Sequence, residues 1–405
     1  MNQGRFIGRA EAIIATGMPG LYRVLAFMGV QNIYSLSDLG RAGTAFSIAQ
    51  ILAFFTAIGW ASLILVRVPA AQSRDERIRC FYELFRMATV SLLLLGSGVM
   101  LWARFFQPDV SGLEIAAIMI GWTFYQLARH FFLALREYRR VIGYDMLLLA
   151  ATAIYVPGCR YLGMAAGLSL GAALATIGAL MLMNIGRPAT FPLVGTFEPK
   201  GLEFGFTNFL SGGVALSLVP IAHFTDGARF AGMISLVASF SSISALIPRA
   251  ISMYRMPALS KLAKAGTSLA QLTAQTRHEI AMACGGAFLV NSLIVVGIVF
   301  YERVQEHFGY ELICGLAICA QGCISMLGMA YSSVLMIREE SRESVLINLV
   351  SCGLFITGLT VFYITSGGTS FVFALTVCIV VTVFRNAMLK RRSRRFLVLA
   401  TPPNL

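Results

Sequence analysis

Five arginines, Arg23, Arg86, Arg129, Arg249 and Arg385, stand inside long apolar stretches of a 405-residue chain. A guanidinium keeps its charge at physiological pH, and near the centre of a bilayer it costs about 2.5–3.5 kcal/mol on insertion scales. Each must therefore find a protein interior, a watery cavity or the membrane edge. Arg23 lies deepest, about 13 residues into its stretch, or about 20 Å at 1.5 Å per residue. Pro19 and Gly20, one turn earlier, remove a helix hydrogen bond and permit a kink. Either Arg23 holds an anion in a cavity, or it bonds to the carbonyls of the kinked helix or to a neighbouring acid. Its depth favours the anion.

Arg249 follows Pro248 and shares one side of its helix, within about 60°, with Ser235, Ser242, Ala245 and Ser252. Close packing explains the serines by themselves; a charge on the same stripe favours a surface facing a water-filled lumen. Arg86 is three residues from Glu83, where a local ion pair is the simpler reading. Arg129, beside Tyr125 and His130, is near a helix end from which a long side chain can reach the interface, and Arg385 reads the same way. Arg23, Arg249, Arg129 and Arg86 are the candidates for a cationic substrate-binding cavity. Asp145 is the one candidate coupling carboxylate, with Arg140 or Arg86 as its expected partner, since Asp38 and Asp226 fall in outer turns. More intramembrane arginine than acid suits an anionic substrate.

The rest of the composition removes other chemistries. The chain is 57% hydrophobic and 13% charged, where a soluble domain carries about 25% charged residues, so it lives in a membrane. Its net charge of +13 sits in short clusters between apolar stretches, which read as topology signals and not as a nucleic-acid surface. The eight cysteines lie in or at the ends of apolar helices without histidine partners at metal spacing; Cys319 and Cys323, on one helix face, read as packing. His223, His278 and His307 fall in loops or at helix ends. There is no phosphate-binding loop, no metal or cofactor set, and no loop beyond about 25 residues to hold a catalytic domain. An enzyme is not expected.

The elements that must position these residues are helices of about 20 apolar residues, the length that spans a bilayer core of about 30 Å. Twelve are expected, at 10–34, 43–66, 80–103, 113–135, 141–158, 162–185, 203–222, 230–254, 279–301, 311–336, 345–364 and 370–388. The first reads as a retained helix, with no small-residue cleavage site of a signal peptide. Counted loop by loop, one side holds 22 lysines and arginines and the other five, Arg41, Arg104, Arg160, Arg229 and Arg303, so both termini are expected in the cytoplasm. Gly163, Gly167 and Gly171 form two overlapping small-xxx-small patterns for close helix packing. The segment 187–202, with three prolines, separates a six-helix lobe at 1–186 from another at 203–390, and a basic tail follows at 391–405.

The chain is built twice. Residues 38–70 return 188 positions later as 226–258 without a gap, with Asp38 on Asp226, Arg41 on Arg229, Ser47 on Ser235, Ala57 on Ala245, Arg67 on Arg255, Pro69 on Pro257 and Ala70 on Ala258. Five of these seven matches are charged, Pro or Ala residues at the helix ends, and each copy reads as a polar turn, a crossing and an Arg-x-Pro stop. Because six is even, the halves share one orientation and are expected to be parallel repeats with a transport site between them. At the aligned interior position the first copy has Ala61 and the second Arg249, so the expected cavity is asymmetric, with Arg23 and Arg249 facing each other.

The stretch LGRAGTAFSIAQILAFFTAIGWASLILVRVPAAQSR resembles the first loop and second helix of polysaccharide flippases in the multidrug/oligosaccharidyl-lipid/polysaccharide (MOP) exporter superfamily. Leu39, Gly40, Gly43 and Phe46 approximate the family's turn, with Ala42 and Gly43 in place of its usual aromatic-Gly pair, and Arg67 its stop. RHFFLALREYRRVIGYD is similar to the family's fourth-to-fifth helix connection. The resemblance implies an all-α, MATE-like fold of two six-helix bundles and a flippase in the bacterial inner membrane. Its implied substrate is an undecaprenyl-diphosphate-linked oligosaccharide for O-antigen or capsule assembly, with a polysaccharide polymerase and chain-length regulator as partners. Arg23 then matches a first-helix arginine of several flippases, and Arg249 lies near basic residues of the eighth helix. The alternatives are a MATE-type small-molecule exporter coupled to H+ or Na+, and a lipid II flippase.

Overall fold

The computed structural model describes residues 3–106, 109–188, 199–265, 267–301, 308–338, 340–368 and 370–398. The segment 189–198, which is most of the expected inter-lobe connection, lies outside the described residues, as do Arg303, His307 and the end of the tail. All regular structure among the described residues is helical. In chain order the helices are α1 (Gln3–Ile33), α2 (Leu36–Ala53), α3 (Gly59–Ala70), α4 (Arg74–Phe106), α5 (Gly112–Ala134), α6 (Tyr138–Tyr161), α7 (Ala166–Ile185) and α8 (Lys200–Ser244). After these come α9 (Leu246–Lys264), α10 (Ala270–Tyr301), α11 (Phe308–Leu327), α12 (Met329–Ile337), α13 (Ser341–Ser366) and α14 (Phe371–Val398). The chain falls into two compact units, Met1–Leu236 and Val237–Leu405.

Ten stretches are long and apolar enough to cross a membrane, where twelve were expected. Two local features account for the difference. Helix α5 is not among the ten, because Glu114, Gln126, Arg129 and His130 lower its hydropathy; three of these four side chains are buried, and the fourth partly so. A helix surrounded by protein need not be apolar. The stretch Lys200–Ala263 runs on for 64 residues, but it breaks at Gly227, whose φ of 88° suits glycine and few other residues.

The repeat is visible in the backbone. In the first copy the helix widens into a π-turn at Phe54–Ile58, where the Gly59 N–H reaches back five residues to the Phe54 carbonyl. In the second copy the helix is interrupted at Ala245, between α8 and α9. A shift of 188 places Ala57, inside the π-turn, on Ala245. The duplicated crossing therefore carries its irregularity at the same point in both copies, although the two sequences differ at most interior positions.

The Met1–Leu236 unit is built around α5. Helix α7 runs close along it, and a Cβ on Gly171 would lie 2.7–2.9 Å from Ala117 and Ile118. Such contacts let backbones approach where lipid supplies no hydrophobic drive for association. Gly163, expected in the same packing stripe, is instead left-handed (φ 68°) in the turn after α6, with nothing within 4 Å of its Cβ position. The stripe continues at Gly178, against Phe124 and Tyr125. An aromatic chain fills the interior: Phe27 meets Phe46 at 5.5 Å, Phe46 meets Trp122 at 5.4 Å, and Trp122 meets Tyr125 at 6.1 Å. The first two pairs meet edge-on, a geometry that adds about 0.5–1.5 kcal/mol each beyond burial.

The Val237–Leu405 unit packs α9 to α14 through small clusters, among them Leu259, Leu269 and Val334, and Tyr331, Leu335, Ile347 and Leu389. Outward faces of the helices in both units carry exposed Leu93, Leu94, Leu101, Ile154, Leu289 and Leu293, as lipid-facing surfaces require.

Candidate functional site

Helices α5 and α6 form an antiparallel pair joined by a tight turn, where Arg136 takes a left-handed conformation (φ 59°). Arg129 lies about two helical turns before this connection and Asp145 about two turns after it, so the hairpin brings them to one level. Both are buried. Arg129 Nε lies 3.3 and 3.4 Å from the two carboxylate oxygens, and its Nη2 lies 3.3 Å from Oδ2. The Tyr125 hydroxyl donates to Oδ1 at 2.5 Å. Arg129 Nη2 also donates to the main-chain carbonyl of Ala15 in α1. That oxygen is four residues before Pro19, which has no N–H to give it.

The expected partners of Asp145 are thus corrected. Arg140 instead pairs with Glu137 at 2.9 Å, because the two are three residues apart at the start of α6. Arg129 does not reach for an interface; it is 4% exposed and its charge is balanced inside the unit. The bonding to a carbonyl before Pro19 and to an acid, which was the plain alternative for Arg23, is made by Arg129.

Arg23 is placed differently. Its guanidinium lies 5.4 Å from the Phe27 ring centroid and 5.8 Å from that of Phe46. Its Nη1 donates to Gln50 Oε1 at a long 3.4 Å, and Nε is buried without a hydrogen-bond partner. A cation held over aromatic faces by a neutral amide retains an unmatched charge, and what completes it chemically is an anion.

The other candidates scatter. Arg86 is half-buried on α4. Arg385 donates to Asn348 Oδ1 at 2.7 Å, from α14 to α13. Arg249 is exposed on α9, while Ser252, three residues on, is buried and bonded to Ser333 at 2.8 Å. The small-residue stripe does not form one surface: Ser235 and Ser252 are buried, Ser242 and Ala245 partly so, and Arg249 is exposed.

Sequence reading also passed over two buried acids, Glu114 and Glu311, in the first turns of α5 and α11. Glu114 accepts a hydrogen bond from the main chain at Gly167, in the first turn of α7, where a carboxylate answers the positive helix end. The signal was available, since each acid opens an apolar stretch, in GLEI and YELI.

No protein-family model matches the chain, and no curated relative does. Solved structures do. An inward-facing multidrug resistance MATE family transporter of the MOP superfamily superimposes with a TM-score of 0.71 at 12% identity, covering 96% of this chain and 98% of that one. The fold is that of the MATE transporters. The eukaryotic MATE transporter AtDTX14 gives a TM-score of 0.60 at 16% identity, over 97% and 98% of the two chains. A MOP superfamily transporter from Pyrococcus furiosus, for which reverse polarity of the binding pocket suggests a different function, gives 0.56 at 11%, over 97% and 95%. Within this MATE fold, the Met1–Leu236 unit carries both an internally balanced ion pair, Arg129 with Asp145, and an arginine, Arg23, that pairs with no acid among the described residues.

Proposed function

We propose that the chain is a secondary transporter of the MATE type that exports an amphipathic small molecule, with Asp145 as the carboxylate that takes the coupling cation. The observation that supports this reading is the agreement of nearly the whole chain with MATE transporters, at a TM-score of 0.71 over 96% of its length. Asp145 forms its ion pair with Arg129 only while it is an anion. A proton or Na+ arriving at the carboxylate competes with Arg129, and an Arg129 that leaves gives up the Ala15 carbonyl on α1 as well. Cation binding thereby loosens three helices at once. The charge asymmetry of the loops supports an inner-membrane location with both termini in the cytoplasm.

A second reading has its own observation. The Arg23 guanidinium, with two rings and one amide around it, fits the diphosphate or acidic sugars of a lipid-linked oligosaccharide better than it fits a cationic drug. Under this reading the chain is a flippase working beside a polysaccharide polymerase.

A deletion strain separates the two. Increased sensitivity to dyes and antimicrobials, restored by the wild-type chain but not by Asp145→Asn, is expected for the exporter. Loss of surface polysaccharide with unchanged drug sensitivity would replace it with the flippase.

A further inference from the structure

In the Val237–Leu405 unit, two free cysteines that are 39 residues apart in sequence meet. The Cys323 thiol, on α11, donates to the Cys284 carbonyl on α10 at 3.4 Å, and both side chains line one cavity. Met326, one turn after Cys323, brings a thioether to the same space. The cavity measures about 10 Å³, close to the smallest that holds one water molecule, which is room for a single ion. Gly322 keeps it open, since a Cβ there would lie 2.7 Å from Ser241 Oγ. Asn291, also in the lining, is buried with its Nδ2 lacking a hydrogen-bond partner. Its Oδ1 accepts from Ser244 at 2.9 Å.

We propose that this cavity binds a soft monovalent metal ion, Cu(I) or its analogue Ag(I), between the sulfurs of Cys284, Cys323 and Met326. Thiolate and thioether select such ions over hard cations. The lining residues carry no charged side chain, which sets the stoichiometry. The metal cation replaces one thiol proton, which leaves to water, and the product of one thiolate and one monovalent ion is neutral. A second deprotonation would leave an uncompensated negative charge in an apolar bundle, so the second cysteine stays a thiol or neutral donor. Among the described residues no three His, Cys, Asp or Glu side chains cluster, which leaves divalent ions without a comparable site. The proposal is independent of what the chain transports.

The test is Cu(I) competition between the purified full-length protein in lipid nanodiscs and a chromophoric Cu(I) chelator. The wild type is expected to withdraw one equivalent. The C284S/C323S variant is expected to lose it, while C80S, on α4, keeps it. Met326→Leu is expected to bind about tenfold more weakly or worse, the loss that even a neighbour supporting a ligand causes. A wild type that withdraws no Cu(I), or a C284S/C323S variant that withdraws as much, overturns the proposal. Should the double variant not fold, X-ray absorption of the copper-loaded wild type decides: sulfur neighbours are expected, and nitrogen or oxygen neighbours alone would refute the site.

Discussion

Arg129 donates to the main-chain oxygen of Ala15, the one carbonyl in α1 that Pro19 deprives of its helical donor. The same guanidinium is paired with Asp145 on α6. One buried side chain on α5 therefore takes up the carbonyl that Pro19 leaves without a helical donor in one neighbour and neutralises an acid in another. Pro19 in α1, Arg129 in α5 and Asp145 in α6 are a single arrangement.

Breaking this arrangement on one side leaves a buried charge uncompensated. Asp145→Asn or Arg129→Gln is expected to destabilise the protein in detergent by about 3–5 kcal/mol, the range for a buried pair that loses one partner. The double variant should fall well short of the sum, since neither charge then remains. Thermal unfolding of the four proteins gives the coupling directly, and additive losses would mean that the pair does not act as a unit.

Restoring the missing donor should make Arg129 less important. Pro19→Ala supplies an N–H at position 19, so the Ala15 carbonyl no longer needs the guanidinium. In that background Arg129→Gln is expected to cost about 1.5–3 kcal/mol less than in the wild type, the worth of a hydrogen bond from a charged donor. An unchanged cost would show that the Ala15 contact contributes nothing.

Arg23 reads out the substrate. Arg23→Gln removes the charge while keeping a hydrogen-bonding side chain of moderate length near Gln50 and the two rings. If the substrate is anionic, transport is expected to fall by about tenfold or more, corresponding to about 1.4 kcal/mol or more of lost binding, with Arg23→Lys in between. Uptake of a cationic dye into inverted vesicles should be unaffected or improved by the same change. Equal effects on both substrate classes would point to a role in folding.

Close helix approach is testable at Gly205. A Cβ at this position in α8 would collide with the main-chain oxygen of Phe54, in the π-turn. Gly205→Ala is expected to destabilise by about 1–3 kcal/mol through overpacking, measured by thermal unfolding. Gly98→Ala on α4, with open space around it, should be neutral or slightly stabilising.

Much of the fold was readable in the residues because its signals are local. Apolar length gave the membrane helices, and the ends of the repeat, Asp38 with Arg67 and Asp226 with Arg255, gave the duplication. Pairing was not readable. Arg129 and Asp145 are 16 residues apart, and only the register of the α5–α6 hairpin brings them together. Helix α5 was readable as a stretch at 113–135, but the burial of its polar residues, Glu114, Gln126 and Arg129, in a protein interior was not. Cys319 and Cys323 drew notice for their spacing, whereas Cys323 meets Cys284 across helices. Depth along a helix follows from counting; which neighbour a side chain faces does not.

The most direct test of the transport reading is efflux from proteoliposomes holding the purified chain and a fluorescent amphipathic dye, with an imposed H+ or Na+ gradient. The expected result is gradient-dependent efflux by the wild type that collapses on dissipating the gradient and is lost in Asp145→Asn. Efflux that ignores the gradient and survives Asp145→Asn, or no efflux from vesicles in which the protein is folded, would contradict a cation-coupled exporter.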